Sequence, residues 1–149
     1  MRESLNEALK QATLKQDRRR MNTLRLIIAA IRDRDIAART AGKERVSDEE
    51  ILDILAKMIK QRLESARLYE EGARLDLATE EREEIGIIQS FLPPQLSEDE
   101  IRACCAEAVK ATVAHGLRDM GKCMAALKAR YSGQMDFSKA SAVVKGMLG

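Results

Sequence analysis

The chain has 149 residues, 45% of them hydrophobic and 34% charged, with 26 Lys/Arg against 24 Asp/Glu. That balance argues for a folded, soluble protein and against a disordered one. No apolar run approaches the ~20 residues of a membrane span, so no membrane role is expected. The small net charge of +2 hides an uneven layout. Residues 1–46 hold 12 basic and 6 acidic side chains, residues 47–100 hold 6 and 15, and residues 101–149 hold 8 and 3. Either the three blocks neutralise one another in the fold, or the basic ends face a polyanion.

The opening stretch, "MRESLNEALKQ", is amphipathic and lacks the apolar centre of a secretory signal, so a cytoplasmic location is expected. Its spacing predicts a helix near residues 2–15 with Leu5, Leu9 and Ala12 on one side. A second helix, near 17–41, carries Met21, Leu24, Ile28 and Ile31 as its core stripe, and Gly42 stops it. Along this helix Arg18, Arg25, Arg32 and Arg39 recur every seven residues and form a stripe beside the apolar one. Border arginines of this kind are expected to lay their stems on the core and pair with acids of the third and fourth helices. The competing reading is a groove for RNA.

The third helix opens on a capping box, Ser47 with Glu50, and turns Ile51, Leu55, Met58, Ile59 and Leu63 to one face before Gly72 ends it. A fourth begins acidic, as the positive end of a helix dipole favours, and closes on Ile85, Ile88, Phe91 and Leu92. Pro93 and Pro94, the only prolines, then break the chain, and Ser97 with Glu100 repeats the capping box. The prolines are the expected boundary between an N-terminal lobe, 1–94, and a C-terminal lobe, 95–149. Three helices follow, near 98–113, 119–131 and 137–148, with Asp119 and Asp136 as caps and Gly133 as a stop. No segment alternates long enough for a strand. The expected fold is all-α: an antiparallel helical lobe followed by a small three-helix lobe.

"HGLRDMGKCM", residues 115–124, nearly spells a phosphate-binding loop, with Gly116, Gly121 and Lys122 in place and Cys123 where the magnesium-binding hydroxyl belongs. Such a loop follows a strand, whereas "AEAVKATVAHG" continues an amphipathic helix. Cysteine is also a poor ligand for magnesium. The stretch therefore reads as a corner between helices. Cys104, Cys105 and Cys123 lack metal-ligand spacing and read as small buried residues in a reducing compartment. His115, the sole histidine, would lie roughly 16 Å from Cys104 along a shared helix, too far for a local Cys–His couple. The residues point to no catalytic group, no metal site and no cofactor.

The basic residues of the last three helices are the candidate site. Arg118 precedes the corner helix, Gly121 and Lys122 lie in its first turn, and Lys128 and Arg130 follow. Lys139 and Lys145 lie on the final helix. A helix start and lysines both attract phosphate, including an RNA backbone; a solvated basic face is the plainer alternative.

"TLRLIIAAIRDRDI", "EREEIGIIQSFLPPQLSEDEI" and "DMGKCMAALKARYSGQMDFSKASAVVKGML" resemble the GatB/YqeY family over essentially the whole chain. That family joins small free-standing proteins to the tail domain of the B subunit of the tRNA-dependent amidotransferase. The resemblance implies an all-helical, two-lobed body whose C-terminal lobe faces tRNA. Met120, Gly121, Lys122, Met124, Gly133 and Asp136 match the family's C-terminal signature. Gly121 is expected where helices or a phosphate approach closely, and the two methionines are expected in the core. Gln134 stands where the family often has a basic residue, which weakens the Gly133 turn as a phosphate grip.

The expected function is a non-catalytic tRNA-binding accessory, with tRNA or another structured RNA as partner. A helical adaptor that engages a protein through its acidic middle helices is the alternative. Participation in carbon–nitrogen ligation with glutamine as amido-N donor, inside a larger assembly, is the weaker one. The family's ligase label derives from the large enzyme, and this chain is too short to hold that enzyme's cradle.

Overall fold

A computed structural model describes residues 1–149. Seven α-helices follow in order: α1 (Arg2–Leu14), α2 (Arg18–Thr40), α3 (Asp48–Glu71), α4 (Leu75–Gln89), α5 (Glu98–Ala111), α6 (Met120–Tyr131) and α7 (Phe137–Leu148), with a 3₁₀ turn at Leu117–Asp119 before α6. There is no strand, and the fold is all-α. No helix is long and apolar enough to cross a membrane. The backbone divides into two compact units, Met1–Leu92 and Pro93–Gly149.

In the first unit, α1 to α4 enclose a core of Leu5, Ala12, Leu24, Ile27, Ile31, Ile51, Ile54, Leu55 and Ile88. Both expected capping boxes form. Ser47 accepts from the Glu50 N–H, Ser97 does the same for Glu100, and each glutamate returns to its serine's backbone. Each box satisfies backbone donors that the first helical turn leaves without partners.

The third helix departs from its expected face. Leu63 is 49% exposed, because the inward stripe runs through Leu55, Ile59, Arg62 and Ala66 at steps of four, three and four. Arg62 takes the inward position and bridges to α4, with Nη1 2.6 Å from Glu84 Oε2 and 3.3 Å from Glu81 Oε2. Its stem serves as core while its head meets carboxylates.

The arginine stripe of α2 also departs from expectation. Arg18, Arg25, Arg32 and Arg39 are exposed, and none pairs with an acid of α3 or α4. Arg19, one residue off the stripe, makes those bridges, 2.9 Å to Glu83 and 3.8 Å to Glu80. The difference is one of angle. A step of one residue turns about 100° around the helix, carrying Arg19 towards α4 and turning the stripe away from it.

In the second unit, α5, α6 and α7 surround Ile101, Cys105, Ala108, Cys123, Leu127, Met135, Ala140 and Val144. Cys105 and Cys123 are fully buried free thiols. Cys105 donates weakly to the Ala140 carbonyl at 3.8 Å, and burial pushes its thiol pKa up, which keeps it an unreactive packing residue.

Candidate functional site

The corner at residues 115–124 follows the end of α5 and comprises a short loop, the 3₁₀ turn and the start of α6. Because helix α5 precedes it, the strand-to-helix turn of a phosphate-binding loop cannot form. Thr112 Oγ1 lies 3.3 Å from Cys123 Sγ, which fastens the end of α5 to the first turn of α6. Asp119 was expected to cap α6, but it makes no cap bond to that helix. Its carboxylate instead accepts from the His115 N–H at 3.1 Å, folding the loop back on itself. That hydrogen bond, with the nearby Lys122 and Arg118 charges, holds the Asp119 carboxyl below the ordinary carboxylate pKa. The tight turn also occupies donors: the Asp119 N–H bonds to the Gly116 carbonyl at 2.9 Å, and the Met120 N–H bonds to that of Leu117.

All seven candidate residues are exposed, but they divide between opposite ends of the bundle. Helices α6 and α7 run antiparallel about the Ser132–Asp136 turn. A side chain added at Gly149 would come within 3.9 Å of Leu117 Cδ2, so the end of α7 returns to the corner. Arg118, Gly121, Lys122 and Lys145 therefore share the corner end. Lys128, Arg130 and Lys139 lie at the turn end; Lys122 and Arg130 are roughly 12 Å apart along α6.

The two ends differ in what surrounds them. The turn end also holds Glu98, Asp99 and Glu100 at the start of α5 and Asp136 at the start of α7. Arg130 is engaged there, 3.5 Å from Glu107 and 5.6 Å from the centre of the Tyr131 ring. Backbone carbonyls of the turn are bound too, that of Gln134 by the Leu96 N–H at 2.8 Å and that of Gly133 by the Gln95 side-chain amide. Near the corner the acids are Asp119, whose side chain is 18% exposed and lies 3.9 Å from Lys122, and Glu107, one turn before Lys110 in α5 and paired with Arg130. Arg118 and Lys145 make no ion pair. Lys110, outside the seven candidates, is a further exposed cation in the last turn of α5. Lys110 lies five residues before His115, so the chain itself carries it to the corner.

Gly121 was expected where backbones crowd, yet a side chain built on it would meet nothing within 4 Å. Gly116 and Gly146 are equally open. A helical glycine costs roughly 1 kcal/mol relative to alanine, and at Gly121 and Gly146 no internal contact requires it. The corner end thus couples cations to bare backbone. The methionines behave as expected, with Met120 and Met124 packed against the core. Elsewhere, an open cleft of about 420 Å³ is lined by Arg2, Arg45, Val46, Ser47 and Asp48, but Arg2 is already committed to Asp35.

A family model described as "Yqey-like protein" matches residues 2–148. Relatives named "Altered inheritance of mitochondria protein 41, mitochondrial" match as well. The protein of Clavispora lusitaniae is 33% identical over 101 residues, 66% of this chain and 56% of its own length. That of Kluyveromyces lactis is 32% identical over 103 residues, 67% of this chain and 54% of its own. That of Lachancea thermotolerans is 33% identical over 102 residues, 67% and 53% respectively. The chain spans about half the length of the curated relatives it matches. Their mitochondrial naming overturns the expected cytoplasmic location. That expectation rested on a polar opening stretch and free thiols, and both suit any reducing aqueous compartment.

Proposed function

This chain belongs to the YqeY-like family, and from that premise we propose that it is a non-catalytic RNA-binding accessory whose partner is tRNA. The interface is the corner end of the second unit, with Arg118, Lys122 and Lys145 supplying charge and Gly121 exposing backbone. One observation carries the reading. The acids of this unit gather at the turn end or pair across α5 and α6, while the corner end keeps its cations facing solvent beside Asp119, a largely covered carboxylate. A phosphate backbone is the polyanion that such a surface suits, and phosphate contacts position a nucleic acid without needing to read its bases.

Binding of tRNA to the full chain across a range of salt concentrations tests this. Arg118→Ala with Lys122→Ala is expected to weaken binding about tenfold and to lower the salt slope by roughly two, about one per lost phosphate contact. Lys128→Ala with Lys139→Ala is expected to change affinity less than about twofold, since that end also carries the acids that open α5 and α7. Absence of binding at low salt, or equal losses from the two pairs, rejects the interface.

A further inference from the structure

The exposed face of α2 has a sequence pattern that the RNA surface on the second unit leaves unexplained. Its outward residues follow a heptad. Asn22, Leu26, Ala29, Asp33, Ile36 and Thr40 succeed one another at steps of four and three, and Arg18, Arg25, Arg32 and Arg39 run along one edge. Leu26 is 49% exposed and Ile36 is 60% exposed. In a helix pair the alternating four-and-three positions form the seam, and the residues flanking it choose the partner by charge. Here the whole flanking edge is arginine.

Three of these arginines, Arg18, Arg25 and Arg32, make no hydrogen bond or ion pair; Arg39 donates to the Glu44 carbonyl at 3.4 Å. The acidic third and fourth helices spend most of their carboxylates on other arginines. Arg67 holds Glu64 and Glu71, Arg82 holds Glu70, Arg62 holds Glu81 and Glu84, and Arg19 holds Glu80 and Glu83. The exposed acids left over, such as Glu3, Glu7, Glu49 and Asp53, do not recur at seven-residue spacing on any helix, so a second copy of this chain offers no matching acidic edge. A nucleic acid fits poorly as well: Leu26 and Ile36 give a phosphate backbone nothing to bind.

We propose that α2 docks an amphipathic helix of another protein, with aliphatic residues on its seam and Glu or Asp along the edge that meets the arginines. Leu26 and Ile36 supply the apolar contacts, Ala29 lets the helices approach, and Arg18, Arg25 and Arg32 select an acidic partner and fix its register. The surface lies on the first unit and stands apart from the RNA reading of the second.

The probe is a fluorescent heptad peptide with Leu at the seam positions and Glu at the flanking ones, titrated into the full chain by anisotropy. A twin peptide carries Lys at the flanks, and tRNA serves as a third ligand. Saturable binding of the Glu peptide is expected. Arg25→Glu with Arg32→Glu should weaken it at least about tenfold and shift preference to the Lys peptide. Leu26→Ser with Ile36→Ser should also weaken it about tenfold, and since both side chains are exposed the fold should be unaffected. Circular dichroism of each variant checks that. The proposal is overturned if the Glu peptide does not saturate, or if the serine variant binds it like the parent. It is also overturned if the glutamate variant loses tRNA while holding the peptide, which would make the stripe an RNA surface. Loss of tRNA binding through Arg118 and Lys122 alone leaves α2 with its protein partner and tests only the corner.

Discussion

Asp35 shows how much one side chain can organise. It accepts from Arg2 Nη1 at 2.8 Å and Nη2 at 2.7 Å, and from the Val46 N–H at 2.9 Å. Arg2 also donates to the Val46 carbonyl at 2.9 Å. One carboxylate thereby ties α1 and α2 to the loop that leads into α3, and it is mostly shielded, with 13% of its side chain exposed. The Arg2 hydrogen bonds, and then that from Val46, lower its pKa from 3.8 to about 2. Because the folded pKa lies below the unfolded one, the stabilisation is complete at neutral pH and disappears as pH falls through about 2. The shift corresponds to about 2 kcal/mol. Asp35→Asn should therefore lose about 2 kcal/mol in urea unfolding at pH 7, with the gap to the parent closing as the pH approaches 2. A gap of constant size across that range would mean that charge is not its source.

Helix ends are where sequence and structure agree in type and differ in residue. α1, α2, α3 and α5 all close through a left-handed residue followed by a backbone bond reaching five back: Asp17 to Ala12, Lys43 to Ala38, Arg74 to Tyr69 and Ala114 to Val109. This closure satisfies carbonyls that the last helical turn leaves open. Glycine takes the left-handed place only at Gly42, with φ 85°; Gln16, Ala73 and Val113 take it elsewhere, with φ of 57°, 58° and 51°. Gly72 was a visible stop, but it is the cap, and Ala73 behind it bears the unfavourable angle. Helix number, both capping boxes and most core faces were legible because periodicity and caps are local signals. Arg62, Arg19 and Asp35 were not, since each acts on a neighbour fixed only by packing. The division of the six cations between two ends was hidden for the same reason: it depends on α6 and α7 running antiparallel. Val113 is the sharpest conflict, a β-branched residue held at positive φ while 66% exposed, with little packing to lose. Val113→Gly should raise stability by about 0.5–1 kcal/mol, relief of strain exceeding the added freedom of the unfolded chain. Thermal or urea melts check this, with Val109→Gly, inside α5, expected to destabilise; a loss at Val113 would show that the turn is not strained.

At the scale of the whole molecule, the two units differ in how they use charge. In Met1–Leu92 arginines hold the helices together, whereas in Pro93–Gly149 most cations face solvent and the helices depend on a small apolar cluster. That cluster draws every member from the second unit. A unit of this size has a stability on the order of 3–9 kcal/mol, and removing a buried leucine side chain costs about 2–5 kcal/mol. Leu127 is 1% exposed, and its neighbours Cys123 and Val144 are fully buried, so little is free to fill the space it would leave. Leu127→Ala is expected to bring amide exchange across α5, α6 and α7 close to unprotected rates, while α3, whose Ile51 and Leu55 sit in the other cluster, keeps its protection. Hydrogen exchange read by mass spectrometry on the full chain separates the two regions. Equal loss of protection in both would mean that the clusters fold as one, and a corner surface on the second unit would then answer to mutations anywhere in the chain. If only the second unit loosens, tRNA affinity should fall with it, and binding of the acidic peptide to α2 should persist.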